Sequence, residues 1–453
     1  MYRSLALFLS AGLLGCSPAP DSVDNADWQA PYPAQYDSWL STETDTEQQD
    51  ELARRPAMVV LWAGSSFAKS YNTPRGHRFA VADVTHTLRT GVPPSGPDDK
   101  GYSASCWTCK TPDAPRLMAE MGEQAFAASQ FTSLGMEMSN TVGCADCHKP
   151  GSEALQLARP HARHAMEKIH LPFDQQDGAM QGAQTCGQCH VTYYFQPEAN
   201  NKVNIPWIFG STADEIERYY DTRRFYEWLH PISRTPMLKA RHPDFETWSR
   251  SPHAKAGATC IDCHMPQRED GNGHAYTDHN VGQALDNFEL TCAGCHDSKG
   301  ALSATLAQNK ARIEAARDSV ETLLVQAHYD AKAAWDAGAE WAQMDSPLMD
   351  IRHAQWRWDF AVASHGIHAH NPEEGLALLA VAQRQATMAR AKLALLHQQL
   401  GVTEVTYPDL SSKAAVQEAV GMDMARFETE KAAFIRDVVA PKWPAAAMRG
   451  APH

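Results

Sequence analysis

The 453-residue chain is short of positive charge: 40 lysines and arginines stand against 54 aspartates and glutamates, a formal net charge of −14. A field of that sign repels polyanions, which excludes nucleic acid as a partner. A small anionic ligand would have to be drawn in by a local cationic patch. Long apolar runs are also missing. The one at Leu5 to Leu14 is too short to span a bilayer, and nothing after it is apolar enough to cross a membrane. Extended periodic segments are rare between about Tyr36 and Asp297, where Gly and Pro are frequent. Cysteine is nearly absent outside one pattern. Ten of the 11 fall into five Cys-x-x-Cys pairs and the other is Cys16, so no thiols remain for disulfides or zinc.

The pairs have a consistent form. Cys144–Cys147, Cys186–Cys189, Cys260–Cys263 and Cys292–Cys295 are each followed at once by a histidine: His148, His190, His264 and His296. Cys-x-x-Cys-His is the attachment signature of c-type haem. The two thiols add to the porphyrin vinyl groups, and the next residue is carried beneath the iron as an axial ligand. A zinc ribbon, in which two such pairs share one metal, does not explain the following histidine. The fifth pair, Cys106–Cys109, is followed by Lys110. A lysine amine ligates a metal only when neutral, although its ordinary pKa is about 10.4. One haem of five is therefore built differently, and chemistry is expected there.

Met1 to Cys16 reads as an export signal: Arg3 supplies a positive start, an apolar stretch follows, and Leu13-Leu14-Gly15-Cys16 has the form of a lipobox. On that reading residues 1–15 are removed and Cys16 carries a lipid. An ordinary signal peptide with an incidental cysteine is the alternative, and the absence of any other unpaired cysteine favours the lipobox. Residues 16–35, rich in Pro, Asp, Ser and Ala, read as a flexible tether. The motif-dense region is expected over residues 36–299. After it, Leu302, Leu306, Ile313, Ala316, Val320, Leu323 and Ala327 follow heptad-like spacing. Further helical stretches are expected at Asp350 to Leu400, broken near His365-Gly366 and Asn371-Pro372, and at Ala414 to Val439. Residues 300–453 thus read as long helices whose apolar stripe forms either an intrachain bundle or a dimer interface. The expected class is mainly α: a loop-rich multihaem cytochrome c fold with long C-terminal helices.

Several motifs together are similar to the pentahaem cytochrome c nitrite reductases, which form ammonium. They are Arg75-Gly76-His77, Thr87-Leu88-Arg89-Thr90-Gly91, Cys106-Trp107-Thr108-Cys109-Lys110, Cys186 to Phe195, Pro236 to Pro243, Ser251-Pro252-His253, Asp278-His279-Asn280, Trp356-Arg357-Trp358-Asp359 and Ser364 to Pro372. The resemblance covers nearly all of the chain after the tether. It implies five covalently bound haem c groups and a second axial histidine for each of four. His77 would serve the Cys186–Cys189 haem, His279 the Cys144–Cys147 haem, His370 the Cys260–Cys263 haem and His253 the Cys292–Cys295 haem. His365 and His368 lie close to His370. The resemblance places Arg89, Tyr193 and His242 around an open face of the Lys110 haem. It also implies a homodimer formed through the C-terminal helices, a periplasmic location, and an electron donor that is either a quinol-oxidising or a soluble multihaem cytochrome. Taking nitrite nitrogen from +3 to −3 requires six electrons. A guanidinium and a histidine suit a reaction in which an anion gathers charge and protons.

Many members of that family bind calcium beside the active haem, through an acid before the tyrosine and a glutamine before the histidine among other ligands. Here those positions hold Thr192 and Arg241. Calcium seeks six to eight oxygens, several of them anionic. The resemblance is thus to the calcium-independent branch, with calcium expected to be absent and Arg241 supplying the cation that orders Tyr193, Lys239 and His242. Two other readings are a purely electron-carrying multihaem cytochrome, with six-coordinate iron at every site, and a relative acting mainly on hydroxylamine or sulfite.

Overall fold

The computed structural model describes residues 19–44, 46–92 and 101–443. Cys16 and the expected signal at residues 1–15 lie outside the described residues. No helix among those described is long and apolar enough to cross a membrane.

The fold is mainly helical, and its long helices are C-terminal. Lys299–Asp336 begins at an N-cap, Ser298, whose side chain accepts from the Ala301 amide. It stops where Gly338 turns to a φ of 88°. Trp341–Ala363 follows, and Pro372–Leu400 begins with Asn371 as N-cap and Pro372 in its first turn, closing on Gly401 at φ 75°. Small and branched side chains let these three pack closely. Leu379, Ala382, Ala386, Ala389, Leu393 and Leu396 form a buried seam on the last helix, met by Val320, Leu324, Ala327, Ala331 and Ala334 and by Leu348, Ile351 and Ala354. The apolar stripe is therefore used within the chain.

The long helices are not a separate unit. Met58, Val59, Val60, Leu61 and Trp62 are buried in the same core as Val320, Leu324 and Trp358. Farther on, Phe434, Val439 and Trp443 enter the core that surrounds Trp107 of the Lys110 motif. The rest of the described residues form shorter helices, helical turns and three antiparallel hairpins: Tyr194–Gln196 with Lys202–Asn204, Trp228–Leu229 with Pro236–Met237, and Gln267–Glu269 with Ala275–Thr277.

Of the stretch expected to be a tether, residues 19–35 are described. Asn25 and Trp28 are buried. The Asn25 side chain donates to the Thr141 carbonyl at 3.0 Å and accepts from the Cys144 amide at 3.0 Å. It thus caps the turn that carries a haem motif, and Trp28 lies 6.2 Å from the His148 ring. A polar composition concealed this, because the segment is held by specific hydrogen bonds and one indole.

Candidate functional site: one cavity lined by five Cys-x-x-Cys motifs

Each motif sits on a short helical turn. In three of them the histidine amide donates four residues back to the first cysteine: His148 to Cys144 at 2.8 Å, His190 to Cys186 at 3.0 Å and His296 to Cys292 at 2.9 Å. That spacing puts cysteine and histidine on one face. The Lys110 motif is wound tighter. Its lysine amide donates three residues back, to Trp107 at 2.9 Å, on the 3₁₀ turn Ala104–Trp107. Trp107 stacks on Phe131 with ring centres 3.9 Å apart, which fixes the floor beneath this motif.

All ten cysteines, Lys110 and the four motif histidines line a single connected cavity of about 2040 Å³. The thiols are free of disulfides. The cavity is also lined by His77, His253, His279 and His370. Each of these faces one motif histidine: His77–His190 at 6.3 Å between ring centres, His279–His148 at 6.1 Å, His253–His296 at 6.2 Å and His370–His264 at 6.4 Å. Two imidazoles on one metal, with bonds of about 2 Å, place their centres roughly 6 Å apart. The outer nitrogens are already oriented. Nδ1 of His148, His264 and His279 meets the carbonyls of Glu153, Gly282 and Thr277 at 2.8, 2.8 and 2.7 Å. This turns Nε2 inward, as in metal-bound histidines generally. Nδ1 of His370 is buried without a partner. The donor set fits covalently attached haem.

His370 owes its place to the break between two long helices. Ser364 and Asn371 end and restart the helical path, and the intervening turn holds Ile367–His370. The same break brings His365 to 5.7 Å from the ring of His242.

Around Lys110 the surroundings differ. Arg89, Tyr193 and His242 all line the cavity there. Arg89 and Tyr193 act electrostatically on each other and on the Cys106 thiol, and Lys110 acts on His242. Arg89 forms no carboxylate ion pair among the described residues. Its guanidinium rests over Phe67 at 4.8 Å and Tyr71 at 5.6 Å, and Nε reaches the Thr87 hydroxyl at 3.4 Å. Burial raises the Tyr193 phenol despite the opposing arginines, so it stays protonated and can donate. Burial first, then His365 and Lys110, hold His242 well below the usual histidine range. Its backbone sits at φ 51°, a left-handed value uncommon for a non-glycine residue and frequent at functional sites.

The two residues at the expected calcium positions are both buried. The Arg241 Nη1 donates to the Tyr193 carbonyl at 3.1 Å, to the Lys239 carbonyl at 3.3 Å and to Glu227 at 2.8 Å, while Nη2 pairs with the other Glu227 oxygen. Burial opposes the charge, but Glu227 outweighs it and keeps Arg241 above its ordinary value. The Thr192 hydroxyl accepts from the Arg241 amide at 3.1 Å. Lys239 is pulled down to about 8 by burial, against Asp359, to which its Nζ donates at 2.6 Å. Asp359 also accepts from the Ala240 amide at 2.8 Å, bracing the strand that leads to His242.

Glu227 and Arg159 were not singled out from sequence, and Asp359 figured there only within the Trp356 to Asp359 motif, without a role. Arg159, fully buried, joins three motifs: Nε donates to the Thr108 carbonyl at 2.9 Å, Nη2 pairs with Asp146 at 2.5 Å, and its amide donates to Gln188 at 3.3 Å. Asp146 and Gln188 lie inside Cys-x-x-Cys pairs, where an acid or amide among variable residues carries no visible signal. Glu246, also buried, accepts from the Thr192 amide at 2.9 Å and from Trp207 at 3.2 Å, and burial raises it to about 8.

The fold is similar to that of a solved cytochrome c nitrite reductase catalytic subunit from Desulfovibrio desulfuricans, described for its two calcium sites. The TM-score is 0.76 at 22% identity, with 90% of each chain covered. The sequence matches the cytochrome c552 family over residues 24–450. A chain with five attachment motifs, four facing histidine pairs and a family match of that extent belongs to the cytochrome c552 family.

Proposed function

We propose that the protein reduces nitrite to ammonium at a Lys110-ligated haem c, fed by four haems with two histidine ligands each. The observation that carries this reading is the asymmetry of the cavity. Four motif histidines each face another imidazole, whereas beside Lys110 stand an arginine that has no carboxylate partner among the described residues, a protonated phenol and a neutral histidine. Likeness to a cytochrome c nitrite reductase supports the same reaction.

A haem held by Cys106, Cys109 and Lys110 would supply electrons and a place for an anion to bind. Arg89 then provides the positive charge that attracts nitrite against the chain's net −14. Resting on aromatic faces, its guanidinium has N–H donors free for nitrite oxygens. Tyr193 offers a phenolic O–H. His242, neutral before the anion arrives, gains affinity for a proton as negative charge builds beside it, and can pass that proton on as oxygen leaves as water. His77, His253, His279 and His370 complete their haems, so those sites carry electrons only.

Arg241 takes the role that calcium plays in many relatives. It already bonds the carbonyls of Tyr193 and Lys239, both calcium ligands in such relatives, and Glu227 fixes it in place. The further assignments are a lipid on Cys16, a periplasmic location at a membrane surface, a homodimer, and a quinol-oxidising or soluble multihaem cytochrome as donor. Loss of membrane attachment in C16A and a dimer by light scattering are the results expected. The direct test of the site is a spin-state count by magnetic circular dichroism. One high-spin iron to four low-spin irons is expected, whereas five low-spin irons would make the chain an electron carrier.

A further inference from the structure

The Thr87–Gly91 loop that carries Arg89 is held from the far end of the chain. Lys431, on the helix Met424–Phe434, is 5% exposed. Its Nζ donates to the Thr85 carbonyl at 2.5 Å and to the Thr90 carbonyl at 2.7 Å. These two carbonyls bracket Arg89. The Ala80–His86 helix ends beneath them: Thr87 is extended, with ψ at 143°, and the Arg89 amide turns to the Thr87 hydroxyl. The Thr85 carbonyl is therefore one of the acceptors that a helix end leaves without an intrahelical donor. The amine meets it and the Thr90 carbonyl together, drawing both ends of the loop onto one atom.

The next residue shows how close that approach is. Gly91 has a φ of 86°, and a Cβ there would lie 2.8 Å from the Phe434 ring and 3.1 Å from the Lys431 Nζ. The same helix thus presses on the loop with a ring and grips it with an amine. By contrast, among the described residues the Arg89 tip meets aromatic faces and makes one long contact to Thr87. Its position at the cavity is set by its backbone more than by its own bonds.

We propose that Lys431 is a positioning residue for Arg89: it bridges Thr85 and Thr90 so that the guanidinium is presented to the anion at the Lys110 face. This rests on the reading of Arg89 as the nitrite-binding cation. Either protonation state of the amine carries the two N–H donors that the bridge uses. Removing the amine would take the Lys431 donor from the buried Thr90 carbonyl and unlink the two ends of the loop, so the loop would shift outward and carry Arg89 with it.

The test is a double-mutant cycle on purified holoprotein with R89Q, K431M and the pair, reading kcat and KM for nitrite with a reduced viologen donor. R89Q is expected to lower kcat/KM by at least about 100-fold. K431M is expected to raise KM by about tenfold, the scale of a small misplacement of a binding group. In the R89Q background, K431M should then change kcat/KM by less than about twofold, since its effect passes through Arg89. A full K431M effect in that background, or no K431M effect at all, would overturn the proposal. An R89Q enzyme with native kcat/KM would overturn the reading of Arg89 instead. If K431M fails to accumulate with its haems, K431Q, which keeps a shorter donor, carries the same cycle, with a smaller rise in KM expected and the same overturning results.

Discussion

Four of the five motifs and the fifth solve opposite problems with nearly the same five-residue stretch of backbone. Where a histidine closes the motif, a second imidazole stands about 6 Å away across the cavity, and backbone carbonyls meet the outer nitrogens of His148, His264 and His279. On the proposed reading each such pair would hold a haem on both sides, which suits electron transfer because nothing would need to bind or leave. Where Lys110 closes the motif, the turn is tighter, and the facing groups are a guanidinium, a phenol and an imidazole held in a left-handed backbone. Polarity and donors are concentrated at the motif that forms no facing histidine pair among the described residues. The difference lies less in the motif than in what the rest of the chain delivers to its far side.

The largest effect is expected from erasing that difference. Replacing Lys110 by His makes all five motifs alike, and nitrite kcat/KM should fall at least about 100-fold because the ligand opposite the substrate tunes the iron. Steady-state kinetics on protein shown to keep five haems would decide this, and unchanged turnover would reduce the lysine to an assembly signal. A second change sharpens the comparison with calcium-binding relatives. The native protein should be unaffected by chelators, whereas T192E/R241Q should lose activity by about tenfold or more on chelation and regain it with calcium, as oxygen ligands replace the guanidinium. Stoichiometric calcium in the chelator-washed native protein would contradict the Arg241 assignment. Altering one of the other four sites should act differently. His253→Met should raise the potential of one haem while nitrite KM stays within about twofold of native, because that haem binds no substrate. A KM rise as large as that of R89Q would break the division of labour between the sites.

The smallest effect concerns two histidines that lie outside the lining of the cavity. His230 and His328 stack at 3.8 Å in the core, and His328 bonds Ser233 and Gln355 at 2.7 and 2.8 Å. Burial lowers His328 to about 4 from 6.5. Above pH 6.5 neither the folded nor the unfolded chain protonates it. As pH falls from 6.5 towards 4, the unfolded chain takes the proton first, so stability drops by up to about 1.4 kcal/mol per pH unit for this group. His328→Gln should flatten the decline of the urea midpoint over that window, and an identical slope would show that His328 contributes nothing to it.

Much of this was legible in the sequence because it is contiguous. The Cys-x-x-Cys motifs, the lysine, the long helices and the break around His365 to Pro372 are local patterns, and the facing histidines followed from a family resemblance rather than from spacing. What could not be read is held together by pairs distant in the chain. Glu227 meets Arg241 only through the Trp228–Leu229 hairpin, Asp359 reaches Lys239 from a helix 120 residues on, and Lys431 reaches Thr90 across 341 residues. A single acid or lysine has no local signature until the fold supplies its partner. The burial of Asn25 and Trp28 in the stretch expected to be a tether has the same origin, since both gain their meaning from the Cys144 turn.

The central claim is that one lysine-ligated site in this chain carries nitrite to ammonium, with an arginine where relatives place calcium. Nitrite turnover by purified, chelator-washed holoprotein with a reduced viologen donor, scored as ammonium formed per nitrite consumed, tests it most directly. A ratio near one without added calcium is the result the account predicts. No nitrite consumption by protein carrying all five haems would contradict it and leave an electron-carrying cytochrome.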